Sequence, residues 1–204
     1  EKIYLNIPDQ ILLTAYVSTY EQAEICRKRG IDVIYADTIL ANRLEYAVAQ
    51  LPPIKRDDRK YHIPKSESTV ISNIGQISNG KCIGGFRLNV TNSESLHFYR
   101  DFERVTLSPE LNLREMEVIA CGSEIIAYGR IPLMVMENCP LKNSGKCQKF
   151  EMKYSISDRK NEKFPIICRE GCVCEILNSK PIYMADKMES LKKLHPAALN
   201  LIFT

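Results

Sequence analysis

The chain has 204 residues, a net charge of +3, eight cysteines and no tryptophan. A chain of this length can bury one sizeable core, and so small a net charge does not by itself demand a nucleic-acid partner. No stretch is long and apolar enough to form a membrane-spanning helix, so we expect no membrane partner.

Apolar runs and helix signals alternate through the first part of the chain. Residues 11–17 predict a strand, and Ser18, with Glu21 three positions on, predicts a helix start through a capping box. Gly30 is expected to end this helix, because glycine accepts the left-handed conformation. Residues 31–36 are short and nearly continuously apolar, which is typical of a parallel strand covered on both faces.

The alternation then continues as far as Tyr128. Asn92 is expected to begin one helix, and Ser108 with Pro109 is expected to begin another. Further strands are predicted at residues 69–72, 86–90, 104–107 and 124–128. Strands and helices at such short intervals indicate an α/β fold with a parallel sheet. The series stops short of the roughly 250 residues of a full barrel, so we expect parallel βα units resembling part of a TIM-like barrel.

A change in composition divides the chain. Residues 1–130 are predicted to form the partial (β/α) barrel-like region, and residues 131–204 a cysteine-rich C-terminal region packed on it. Asp186 with Glu189 is expected to cap a last helix near the C-terminus.

Five of the eight cysteines fall between residues 139 and 174. Residues 1–10 lack the basic start and apolar core of a signal peptide, so a cytoplasmic, reducing location is expected. Clustered cysteines in such a compartment are more often metal ligands or redox groups than structural disulfides. The sequence therefore favours a metal centre.

Four thiolates are the ligand set of a [4Fe–4S] cluster or of a structural zinc ion. The predicted metal and cofactor ligands are Cys139, Cys147, Cys168 and Cys172, with Cys174 as a substitute for Cys172. No Cys-x-x-Cys pair occurs, so uneven spacing suggests a centre assembled by the tertiary fold. The alternative for Cys168 is an ordinary core strand residue.

Seven segments, in this order, resemble the collagenase-like protease family, the thirty-second peptidase family of unknown catalytic type. They are FRLNVTNS (86–93), TLSPEL (106–111), YGRIPLM (128–134), NCP (138–140), SDR (157–159), FPI (164–166) and LNS (177–179). The resemblance covers about residues 11–186. Members are usually longer, so it implies that this chain is the later part of a barrel domain or a fragment of a longer enzyme.

The resemblance implies two kinds of chemistry. Many members are named peptidases, whereas several relatives hold a four-cysteine iron–sulfur cluster and help to hydroxylate RNA or a quinone precursor. We therefore expect a [4Fe–4S] cluster and an RNA- or peptide-modifying role of the hydroxylation type. The alternatives are a peptide-bond hydrolase with structural cysteines or zinc, and a non-catalytic binding module. Expected partners are an RNA or peptide substrate, and either the remainder of a longer barrel or a second copy of the chain.

Outside the cysteines, the catalytic candidates are Arg130, Glu110 and Asn89, which follow predicted strands at the end where barrel active sites lie. Glu110 also has a structural explanation, because a carboxylate is favourable near a helix start. Arg130 is the strongest of the three, since a guanidinium at a strand end offers a forked donor to a carboxylate or phosphate. The sequence contains no His-Glu-x-x-His motif, so a peptidase activity depends on the resemblance alone.

Overall fold

The computed structural model describes residues 10–54, 67–78, 80–145, 154–169 and 173–204. The chain divides into two compact units. The first contains Glu1–Tyr128 with Tyr183–Phe203, and the second contains Gly129–Ile182 with Thr204. The predicted division at residue 130 lies close to the first boundary, but the structure also returns the C-terminal segment to the first unit.

A nine-stranded sheet organises the first unit. Its strands in chain order are β1 (Leu12–Val17), β2 (Val33–Asp37), β3 (Val48–Gln50), β4 (Ser68–Ile71), β5 (Lys81–Gly84), β6 (Arg104–Val105), β7 (Glu124–Gly129), β12 (Ile182–Tyr183) and β13 (Ala198–Ile202). The spatial order is β12-β7-β13-β1-β2-β3-β4-β5-β6. Neighbouring strands from β13 through β1 to β6 are parallel, as the alternation of strands and helices predicts.

The sheet curls so that its β6 edge returns to β7. Thr106, directly after β6, forms a parallel bridge with Glu124, the first residue of β7. The amide of Leu107 donates to the carbonyl of Glu124 at 2.8 Å. The parallel α/β class is therefore confirmed, in the form of a curled sheet.

The C-terminal strand β13 lies between β7 and β1. The sequence pattern predicts strands only as far as Tyr128 and does not predict this one. Residues 198–202 do read as an apolar run, but a strand so far from its partners in sequence is recognised only from its register. Leu12 pairs with Ala198 and Tyr16 with Ile202.

Short helices follow the strands of the first unit. They are α1 (Tyr20–Lys28), α2 (Thr38–Ala41), α3 (Ser93–Phe98), α4 (Leu113–Met116) and α6 (Met188–Lys193). The cap of α1 is Thr19, which forms the capping box with Gln22, one residue later than predicted. Gly30 has a φ of 75°, as expected for the residue that ends the helix.

Two predicted elements are wrong, and so is the predicted cap of the last helix, because α6 follows Lys187 with no side-chain cap and Asp186 lies in a 3₁₀ turn. Residues 86–90 are not a strand, because Phe86–Leu88 form a 3₁₀ turn and Asn89 takes the left-handed conformation with a φ of 53°. The strand in this part of the chain is β5, which ends at Gly84. Ser108 does not begin a helix, because the capping box of Asn112 with Glu115 starts α4 four residues later.

One face of the curled sheet packs against the helices. Ala15, Val17 and Ile34 join Ala23 and Cys26 of α1 in one buried cluster. Because successive strand residues point to opposite faces, Thr14 and Tyr35 face away from these helices. Within the described residues, no helix has the length and apolar character needed to cross a bilayer.

The second unit is built on a separate four-stranded sheet. Its elements are β8 (Pro132–Met136), α5 (Pro140–Asn143), β9 (Tyr154–Ser157), β10 (Lys163–Arg169) and β11 (Val173–Leu177). The order is β8-β11-β10-β9, and each neighbouring pair is antiparallel. Cys168 lies on β10 and Cys174 on β11, and Cys139 directly precedes α5.

Candidate metal centre

Three elements of the second unit bring cysteines together. Cys168 of β10 and Cys174 of β11 are direct partners in the antiparallel ladder. Cys139 directly precedes α5, whose first residue is Pro140, and its sulfur accepts a hydrogen bond from the amide of Lys142 at 3.4 Å. Proline is well suited to a first helical position because it has no N–H to leave unpaired. Local helix capping therefore fixes the direction of the Cys139 side chain.

The three sulfurs form one compact group. The Sγ atoms of Cys139 and Cys174 lie 3.3 Å apart, and those of Cys168 and Cys174 lie 3.8 Å apart. All three ligand atoms lie within 4.8 Å of one another. Four sulfurs at about 2.3 Å from a tetrahedral zinc ion are separated by about 3.8 Å, so this spacing is close to that of thiolates around a single ion.

An apolar shell surrounds the sulfurs. Cys174 is completely buried, Cys139 is 5% exposed and Cys168 is partly exposed. The residues packed with them are Leu141, Ile166, Met136, Tyr154 and Ile176. Such a shell limits access of water to a bound metal and so influences its chemistry.

Burial and hydrogen bonding act differently on two of the thiols. Burial raises the pKa of Cys174, and the neighbouring sulfurs of Cys139 and Cys168 raise it further. Burial also opposes ionisation of Cys139, but hydrogen bonds from the Lys142 amide and from Cys174 outweigh it and lower the pKa of Cys139. Cys139 is therefore the thiol of this pair that ionises first.

The structure brings together part of the predicted ligand set. It gathers Cys139 and Cys168 with Cys174, which the sequence offered as a substitute ligand. Cys147 and Cys172 lie outside the described residues. Cys174 becomes a candidate ligand because it lies opposite Cys168, and this follows only from how β10 pairs with β11.

Arg130 has a structural partner in the second unit. Its Nη1 atom donates to the carbonyl of Asn178 at 2.8 Å and also to the carbonyl of Ser179. The Asn178 amide in turn donates to the carbonyl of Ile131 at 2.9 Å. Arg130 thus ties the segment after β11 to the segment before β8, and its expected contact with a carboxylate or phosphate stays a prediction.

Asn89 and Glu110 meet around a buried hydroxyl in the first unit. Ser108, which is 1% exposed, donates from Oγ to Oδ1 of Asn89 at 2.8 Å. The amide of Glu110 lies 3.4 Å from the same Oγ atom. The side chains of Asn89 and Glu110 are exposed. This arrangement explains the turn at residues 108–110 and leaves their catalytic role a prediction.

Sequence reasoning missed a buried polar network inside the curled sheet. The carboxylate of Glu124 is completely buried and pairs with the Arg104 guanidinium at 3.0 Å. It also accepts hydrogen bonds from the Tyr35 hydroxyl, the Thr106 hydroxyl and the Asn200 amide. The sequence did contain an indication of this network, because Arg104 and Glu124 are charged residues that each begin an otherwise apolar strand.

No protein-family model, curated protein or solved structure matches this chain significantly.

Proposed function

We propose that the second unit holds a metal centre through cysteine thiolates. The observation that carries this proposal is the convergence of Cys139, Cys168 and Cys174 within 4.8 Å in an apolar shell. Packing alone requires no sulfur at these three positions, because free cysteine packs as a small apolar side chain, whereas a thiolate metal centre requires a sulfur at each of them. A sulfur-only donor set suits zinc or iron–sulfur chemistry.

The resident group proposed first is a [4Fe–4S] cluster, as the family resemblance implies. Cys139, Cys168 and Cys174 would hold three of its irons, with Cys147 or Cys172 as the source of a fourth thiolate. A bound cluster would supply one-electron transfer. In this proposal the chain belongs to an enzyme that modifies RNA or peptide by hydroxylation, and the curled sheet belongs to its (β/α) barrel domain.

A single zinc ion is the second candidate, and a specific observation favours it. The sulfur separations of 3.3 and 3.8 Å are close to those around one tetrahedral ion. Thiolates on a cubane cluster bind different irons at its corners and so lie farther apart. A zinc ion held by four thiolates has no open coordination position and would stabilise the second unit.

Metal analysis of the full chain tests both candidates. The protein is prepared anaerobically and reconstituted with iron and sulfide or with Zn²⁺, and bound metal and acid-labile sulfide are measured. A cluster predicts bound iron with an equal amount of sulfide, and absorbance at about 400 nm. Zinc without iron or sulfide supports the second candidate, and a chain that retains neither contradicts the proposal.

Single serine replacements identify the ligands. Cys139→Ser, Cys168→Ser and Cys174→Ser should each reduce bound metal, because each removes one thiolate. Of Cys147→Ser and Cys172→Ser, only the variant that removes the fourth ligand should reduce bound metal. Cys26→Ser is the matched control, since Cys26 is a buried thiol of α1 in the first unit.

Reaction type needs its own assay. The reconstituted full chain is incubated with RNA or with peptides, and the products are examined by mass spectrometry. Gain of one oxygen on RNA or peptide supports hydroxylation. Peptide cleavage that requires no cluster instead supports the hydrolase alternative, and binding without any product supports a binding module.

A further inference from the structure

Two of the three clustered sulfurs lie on neighbouring strands in direct register. Cys168 pairs with Cys174 across the β10–β11 ladder, with 3.8 Å between the Sγ atoms. Opposite residues in an antiparallel ladder have Cα atoms about 4.5 or 5.5 Å apart. Disulfides bridge Cα separations of about 4.4 to 6.8 Å. The two thiols can therefore be joined with little movement of the backbone.

The two thiols differ in exposure. Cys168 is partly exposed, whereas Cys174 is completely buried beside it. An oxidant arriving from solvent meets Cys168 first, and Cys174 lies within reach as the thiol that attacks the oxidised sulfur. A solvent-accessible cysteine next to a resolving cysteine is the usual arrangement of a redox-sensing pair.

The same sulfurs cannot serve a metal and a disulfide together. Thiolates bind metals, and oxidation of Cys168 and Cys174 to a disulfide removes two of the three gathered donors. Cys139 alone of the three then keeps its thiol.

We propose that Cys168 and Cys174 form a reversible disulfide switch, closed by a hydroperoxide in the metal-free protein and prevented by a bound metal. The metal-dependent half of this proposal rests on the proposed function.

The oxidation proceeds in two displacements. The Cys168 sulfur attacks the peroxide O–O bond, which breaks, so that a sulfenic acid forms and the other oxygen leaves as water or an alcohol after taking a proton. The Cys174 sulfur then attacks the Cys168 sulfur, the S–S bond forms, and the S–O bond breaks to release water with the Cys174 proton. The two thiols lose two electrons and two protons, which reduce the peroxide, and a dithiol reverses the step by exchange.

Peptide mapping of the full chain tests the switch. Metal-free Cys172→Ser protein is treated with hydrogen peroxide, remaining thiols are alkylated, and trypsin separates Cys168 from Cys174 by cutting after Arg169. We expect the two peptides to be recovered linked and to separate on treatment with dithiothreitol. Cys174→Ser should lose this linkage, whereas Cys26→Ser should keep it. Protein of the natural sequence, with Cys172 in place and loaded first with Zn²⁺, should remain reduced at Cys168 and Cys174.

Each other outcome has a definite meaning. The proposed pair is overturned if Cys168 becomes a sulfinic acid without forming a disulfide. It is also overturned if the disulfide contains Cys139 instead of Cys168 or Cys174. Equal linkage with Zn²⁺ measured in the protein overturns the competition between metal and disulfide. Linkage in the Cys172→Ser protein, together with a natural-sequence protein that binds neither zinc nor a cluster, contradicts the metal centre and the metal-dependent half of the switch, while the redox pair itself stands.

Discussion

Replacing Glu124 tests the buried network most directly. Its Oε2 atom accepts from the Tyr35 hydroxyl at 2.9 Å and from Nε of Arg104 at 3.0 Å. Its Oε1 atom accepts from the Thr106 hydroxyl at 2.9 Å and from the Asn200 amide at 3.0 Å. Within the described part of the chain, every buried side-chain nitrogen and oxygen has a partner. The network is therefore saturated, and removal of its central acceptor cannot be compensated locally.

The expected cost follows from burial. Glu124→Gln keeps the shape but removes the charge that balances Arg104, which is 5% exposed. Removing one partner of a buried ion pair costs roughly 3–5 kcal/mol. The new amide group also donates where the carboxylate accepted, and each buried group left unsatisfied costs roughly 1–3 kcal/mol. We expect a loss of about 4 kcal/mol or more, a large part of the roughly 5–15 kcal/mol of a typical domain.

Urea unfolding followed by circular dichroism measures this loss. Glu189→Gln is the control, because it removes one partner of the exposed Glu189–Lys192 pair, worth about 0–1 kcal/mol. If the free energy of unfolding of Glu124→Gln lies within about 1 kcal/mol of that of the natural protein, the network does not stabilise the fold as argued.

Two further predictions concern Tyr35 and Arg130. Burial, followed by the charge of Glu124, raises the pKa of Tyr35 well above its usual value, so folding favours the protonated phenol and stability should fall as pH rises above about 10. Tyr35→Phe should flatten this fall in urea titrations at several alkaline pH values, and an unchanged slope would contradict the assignment. Arg130→Ala removes the Nη1 donor shared by the carbonyls of Asn178 and Ser179, so the Asn178 amide should exchange with deuterium faster, consistent with a loss of roughly 1 kcal/mol. Arg159→Ala in the exposed turn after β9 is the control, and equal exchange in the two variants would refute this role.

The sequence predicted best where local signals were strong. The strands β1, β2, β4 and β7 lie within about one or two residues of their predicted positions. The reason is that short apolar runs between turn signals usually form strands. Gly30 was expected to end α1 and does so with a positive φ. The α/β class follows from the order of these elements. Two local signals misled, since competing caps decide where a helix begins, as Ser108 and Asn112 illustrate.

The sequence predicted the type of residue at the site, but not which of the cysteines form it. The concentration of cysteines indicated a thiolate centre, and three of them do lie together. Spacing alone could not show that Cys174 lies opposite Cys168, because that pairing depends on strand register. A shift of one residue in the β10–β11 pairing would turn every side chain to the other face of the sheet.

By itself, the sequence determined the parallel βα units and the presence of a polar, cysteine-bearing region, because both depend on contacts between near neighbours in the chain. Tertiary structure alone decided that β13 returns to lie between β7 and β1, that Glu124 meets Arg104 and Tyr35, and which sulfurs converge. These contacts join residues separated by up to almost the whole chain, as in the Asn200–Thr14 hydrogen bond. They form because the sheet curls and buries polar groups that must then pair with one another.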